Sequence, residues 1–272
     1  MLTHIYVDGA FLRDRCGVAI QRVFEDEPEL NATLMRSALG GNRLFYYDCV
    51  EDTPRQGEDQ TTFENRTHRQ RKFIDSVAHS PLCHVRLGTL KEQRRGRRIT
   101  QKEVDVKIAV DMLTHAANKI ISSAILVTGD LDFRPVVESL VQLGIVVEVV
   151  YDPLVTADEL IQAADLSRPI SIGDWYGFSS ATFQRKHHLP ERSMGKALDR
   201  PEVTRSGCLI KRGTVGEHSA ELWDVDGGKA FIVELADYDA DGRALLIRSK
   251  DLDFLLDRYL PFAEGPVKLS EP

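Results

Sequence analysis

Two aspartates one residue apart, Asp130 and Asp132, follow the short apolar run Ala124-Ile125-Leu126-Val127 across a Thr128-Gly129 turn. A third, Asp8, closes the run His4-Ile5-Tyr6-Val7. A fourth, Asp105, lies in the first turns of a helically patterned stretch upstream of the Asp130 turn. One aspartate after a strand is readily explained as a helix N-cap, because its carboxylate accepts the free N–H groups of the first turn. Two of them flanking a single residue leave half the charge without that explanation. Carboxylates gathered together push protons back onto one another unless a cation holds them. Oxygen-only donors select Mg²⁺ or Mn²⁺ over zinc. A cation so held lowers the pKa of a bound water and neutralises the charge that builds on a phosphodiester under attack.

The elements that must position these residues alternate in type. Strands are expected at residues 4–8, 43–50, 83–90, 124–127 and 145–151, with an edge strand over 169–172. Between them fall helical patterns. Two follow Asp8 and break near Glu25–Pro28, a long polar one runs over 59–79, and one begins near Gln101 with Thr100 and Glu103 at capping-box spacing. After the Asp130 turn, Phe133, Val136, Val137, Leu140 and Val141 recur at helical spacing and Gly144 closes the helix. Thr156 and Glu159 have capping-box spacing for a further helix ending near Ala164. Such alternation argues for an α/β fold, a mostly parallel sheet with helices on both faces. Parallel sheets place their ligands at the carboxyl ends of strands, where Asp8, Asp130 and Asp132 stand.

The pattern changes after Gly173. Residues 1–175 are expected to form the α/β domain, 176–203 a polar linker, and 204–272 a small β-rich (α+β) domain. In that last domain segments near 207–212, 220–225, 229–234 and 243–248 read as strands, Asp226-Gly227-Gly228 as a hairpin turn, and 252–259 as a short helix.

The chain has 272 residues, 42% of them hydrophobic and 28% charged, the balance of a globular protein with a real core. Its formal net charge of -7 repels polyanions, so any nucleic-acid binding must come from a local basic patch. Cys16, Cys49, Cys83 and Cys208 are scattered, without a CxxC pair or histidines at zinc spacing, and suit a reducing compartment. No apolar run approaches the ~20 residues of a membrane span, and a strand starts too early for a signal peptide. A cytoplasmic location without membrane attachment is expected.

Three segments, Tyr6-Val7-Asp8-Gly9-Ala10-Phe11-Leu12, Lys102-Glu103-Val104-Asp105-Val106 and Val127-Thr128-Gly129-Asp130-Leu131-Asp132-Phe133, resemble in order and spacing the signature segments of the NYN domain, LabA-like branch, of the PIN-like nuclease superfamily. The resemblance covers roughly residues 3–172. It implies a Rossmann-like PIN-type sheet and a metal-dependent ribonuclease acting on single-stranded or structured RNA. Asp8, Asp105, Asp130 and Asp132 would be the catalytic, metal-binding carboxylates for Mg²⁺ or Mn²⁺, and Thr128 would support the metal site. Asp111 also resembles a residue frequent in the family. It falls seven residues after Val104 and points partly inward, which suits a supporting role behind the ligands. One departure is visible: the family's first motif usually carries Asn three residues after its Asp, and Phe11 stands there.

The run from Lys91 to Lys102 is densely basic and would hang beside the acidic pocket. Arg94, Arg95, Arg97, Arg98 and Lys102 are the candidates for phosphate contact, against the ordinary reading of a solvated surface run. Arg66, Arg69, Arg71 and Lys72 read as the solvated face of the long helix, and His187-His188 as a surface pair. No GxGxxG follows the first strand, which argues against a dinucleotide cofactor. A phosphatase that uses Asp8 as nucleophile would want a second Asp two residues on, where Ala10 stands. The competing reading is a catalytically weak relative that binds RNA or a protein and regulates, and Phe11 is its motivation. Assembly as a homo-oligomer is left open.

Overall fold

A computed structural model describes residues 2–51, 53–88 and 102–272, with the side chain of Lys102 undescribed. The chain divides into two units. The first comprises residues 1–18 and 28–183, and the second 19–27 and 184–272.

The first unit is built on six strands: β1 (Thr3–Asp8), β2 (Arg43–Asp48), β3 (Cys83–Leu87), β4 (Ser123–Val127), β5 (Val146–Tyr151) and β6 (Leu166–Pro169). Their order is β3-β2-β1-β4-β5-β6, and every pairing is parallel. The order reverses between β1 and β4, which pair with Val7 opposite Val127. The two central strands are covered on both faces, which is why they read as continuous apolar runs and not as alternating ones.

Helices alternate with the strands. They are α1 (Gly9–Phe24), α2 (Ala32–Leu39), α3 (Gln60–His79), α4 (Lys102–Ala117), α5 (Arg134–Gln142), α6 (Asp158–Ala163), α7 (Ile172–Gly177) and α8 (Ala181–Lys186). Of these, α4 and α5 supply cover on one face. One core joins Val104, Ile108 and Met112 of α4 and Val136, Val137 and Leu140 of α5 to Tyr6, Tyr47, Leu126 and Val149 of the sheet. Gly144, with φ of 78°, takes the left-handed turn that releases α5 into β5.

Two boundaries differ from expectation for local reasons. The edge strand is β6, ending at Pro169. Residues 169–172 were expected as strand, but Ser171 and Asp174 form a capping box that starts α7 instead. The expected Thr156–Glu159 capping box is also absent. Thr156 N–H donates to the carbonyl of Asp152, α6 begins two residues later with Ala157 in the cap position, and no side chain caps it. Thr100 and the basic residues Arg94, Arg95, Arg97 and Arg98 lie outside the described residues.

The second unit holds an antiparallel sheet in the order β12-β8-β9-β10-β11-β7. Its strands are β7 (Glu191–Met194), β8 (Cys208–Val215), β9 (His218–Asp224), β10 (Phe231–Leu235), β11 (Leu245–Ser249) and β12 (Val267–Ser270), accompanied by α9 (Pro201–Ser206) and α10 (Leu260–Ala263). Ile232, Leu246, Val225, Val203 and Ala197 form a core. The stretch 176–203 was expected as a linker, yet residues 191–194 form strand β7, paired with β11. All four of its side chains are exposed, so an edge strand reads from sequence as polar chain without alternation. The expected helix over 252–259 is a π-helical turn from Phe254 to Tyr259 that passes into α10.

Candidate metal centre at the strand-order switch

The carboxyl ends of β1 and β4 lie side by side where the strand order reverses, the crevice at which open parallel sheets bind ligands. Asp8 ends β1 and is 8% exposed. One of its oxygens accepts the N–H groups of Ala10 (3.0 Å) and Phe11 (3.3 Å), the first-turn donors of α1. The other accepts the Thr128 hydroxyl at 3.1 Å. That hydroxyl in turn accepts the N–H of Asp130 at 3.3 Å, so Thr128 ties the end of β1 to the turn after β4. Asp130 accepts the N–H of Asp132 at 2.9 Å and caps the short 3₁₀ turn Leu131–Phe133. Asp105 joins them from the first turn of α4.

The electrostatics express this gathering. Burial raises the Asp8 carboxyl above its ordinary range. The Phe11 N–H, the Thr128 hydroxyl and the Ala10 N–H pull it back, and the charge of Asp130 adds to the rise. Asp105 is raised to about 6, by burial first and then by Asp8, Asp130 and Asp132. Asp105 therefore senses the other three aspartates, and Asp8 senses Asp130.

Two neighbours at the same sheet edge differ in kind. Asp48, ending β2, is fully buried and accepts hydrogen bonds from Arg13, the Tyr46 hydroxyl (2.8 Å) and the Gln70 amide (3.0 Å). Asp152, just past β5, is paired with Arg15 at 2.5 Å. Neither stood out in the sequence, since a lone Asp after a strand is common and its Arg partner sits in a distant helix. Arg13 and Arg15 of α1 thus neutralise the flanking aspartates. Among the described residues, no ion pair is formed by Asp8, Asp105, Asp130 or Asp132.

Asp111 sits farther along α4. It accepts the Tyr47 hydroxyl at 2.8 Å and pairs with Arg86 at 3.2 Å. Among the described residues no group of three or more His, Cys, Asp or Glu side chains is arranged to hold a metal ion as it stands. The donor set nonetheless fits a hard divalent cation in its chemistry, being all carboxylate, mutually repelling and without a cationic partner among the described side chains.

Phe11 follows Asp8 on the first turn of α1, and its half-buried ring packs on the Gly129 backbone. A Cβ on Gly129 would stand 2.9 Å from Phe11 Cε2 and 2.8 Å from Thr156 Oγ1, so glycine is required there by close approach. The Thr156 hydroxyl is buried and has no hydrogen-bond partner among the described residues.

The sequence profile of the NYN domain matches residues 33–172, just over half of the chain. The matched stretch takes in Asp105, Thr128, Asp130 and Asp132, while β1 with Asp8 precedes it. A solved structure of a protein of unknown function from Vibrio parahaemolyticus is similar at 21% identity with a TM-score of 0.47, over 62% of this chain and 92% of that one. No curated protein matches the chain. Among the described residues, no helix is long and apolar enough to cross a membrane.

Proposed function

Because the chain belongs to the NYN-domain family, within the PIN-like nuclease superfamily, we propose that it is a metal-dependent endoribonuclease hydrolysing RNA phosphodiesters. One observation carries the reading. Burial and then the charges of Asp8, Asp130 and Asp132 raise Asp105 at the strand-order switch, and none of the four forms an ion pair among the described residues, while Asp48 and Asp152 beside them are neutralised by arginine. Asp8, Asp105, Asp130 and Asp132 would hold Mg²⁺ or Mn²⁺, which when bound supplies an activated water and positive charge against the phosphorane-like transition state. The Thr128 hydroxyl fixes the Asp8 carboxylate and the Asp130 backbone relative to each other. The first-turn N–H groups of α1 hold Asp8 in one orientation, so that little ordering entropy is left to lose when a cation arrives. The reading takes residues 1–175 as the nuclease domain, acting in the cytoplasm, with 204–272 as a separate module of unassigned role.

Asp130→Asn tests it. Asn caps a helix about as well as Asp, so the variant should melt like the parent. Mn²⁺ affinity should drop, and RNA cleavage should fall by on the order of a hundredfold or more. Parental cleavage by the well-folded variant would sink the assignment of this site. A second reading, an RNA-binding regulator of weak activity, draws on the Phe11 ring standing beside Asp8. Tight Mn²⁺ binding by the parent with no RNA cleavage would favour it.

A further inference from the structure

Resting on the nuclease reading, we propose that Phe11 is a base-stacking platform that makes single-stranded RNA, with an unstacked nucleobase beside the scissile phosphate, the substrate of this site. Phe11 is held once by its backbone and once by its ring. Its backbone N–H is bound to Asp8, and its Cδ2 and Cε2 edge lies against Gly129, between Thr128 and Asp130. It therefore stands at the carboxylates themselves, and it keeps partial exposure where a purely structural phenylalanine would be covered.

Its surroundings suit a base better than a phosphate. On the same carboxyl edge, Leu131, Leu154 and Val155 are 42%, 76% and 51% exposed, an apolar rim beside an acidic pocket. Aromatic faces accept any base and so give affinity without sequence readout. A duplex keeps its base faces stacked internally and has none to offer.

The test uses the full chain in the Asp130→Asn background, so that the strand stays whole, with a single-stranded RNA carrying 2-aminopurine. Stacking on Phe11 should quench the probe. Phe11→Leu keeps apolar packing but loses the π-face. It should abolish the quench and weaken binding roughly ten- to a hundredfold, while Phe11→Tyr should retain both. Duplex RNA of the same sequence should bind weakly and ignore the substitution. Unchanged quench and affinity in a folded Phe11→Leu chain would overturn the platform, and cleavage by the parent would show the nuclease reading still standing. Equal losses for single strand and duplex would overturn the single-strand preference. No RNA binding and no cleavage by any chain would overturn both readings. A measurement independent of substitution is photocrosslinking of 5-iodouracil RNA to the parent in EDTA: crosslinks should map to Phe11, and crosslinks found only elsewhere would refute the proposal.

Discussion

At the scale of single residues, the cap and the charge of an aspartate are separable. Asp8 and Asp130 each cap a helical turn with hydrogen bonds that an amide could also accept, so the cap survives loss of the negative charge. Asp105 makes the opposite case, because its charge works against the fold. Its carboxyl is raised from 3.8 to about 6, chiefly by burial and then by the other three aspartates. Below pH 3.8 it is protonated both folded and unfolded and is neutral for stability. As pH rises toward 6 the unfolded chain ionises first, and above 6 the folded state carries the full penalty. Asp105→Asn should therefore stabilise the metal-free protein at pH 7–8. The gain should be about 1–2 kcal/mol once partial exposure is allowed for, fading near pH 4. Thermal melts of both chains in EDTA across that range check it. A destabilised variant at pH 8 would show that the Asp105 carboxylate makes contacts that outweigh its burial and repulsion.

At the scale of elements, the parallel sheet was legible because its strands are apolar runs with turn residues at their ends, and the α5 pattern reads directly onto its buried face. The position of Asp8, Asp130 and Asp132 at strand ends follows from the same runs. What escaped was anything set by a partner distant in sequence: the neutralising of Asp48 by Arg13, the release of Thr156 from capping, and β7, whose exposed side chains carry no period. A buried aromatic–histidine layer was likewise invisible. His4 of β1 is 1% exposed, packs against Phe45 (5.2 Å) and His115 (5.1 Å), and neither of its ring nitrogens has a hydrogen-bond partner among the described residues. Burial, with His115, Arg43 and His84, pushes it down to about 4. A histidine depressed in the folded state gives stability that is complete above its unfolded value of 6.5 and is lost as pH falls from there toward 4. Acidification across that window should cost about 2–3 kcal/mol from this residue. Denaturant titrations at pH 7 and 4.5 should show His4→Phe losing less stability than the parent. Equal losses would place the acid sensitivity elsewhere.

At the scale of the whole molecule, a net charge of -7 means that RNA must be drawn in by a local field. The six Lys/Arg residues from Lys91 to Lys102 are the densest such source. Replacing Arg94, Arg95, Arg97 and Arg98 with Ala should weaken RNA binding at low salt and flatten its salt dependence, by roughly one unit of log–log slope for each phosphate no longer neutralised. An unchanged slope would assign the run to bare surface. Charge is also managed at the sheet edge, by α1. Arg13 and Arg15, two residues apart on one helix, reach Asp48 beyond β1 on one side and Asp152 beyond β4 on the other. They decide how many of the edge carboxylates are left over for chemistry. A drifting lineage could thus enlarge or shrink the acidic pocket by changing a helix that contributes no carboxylate to it. Loss of either arginine would leave an edge carboxylate unpaired, to be protonated or matched by another cation, so relatives with an identical set of aspartates can differ in the cations and substrates they admit.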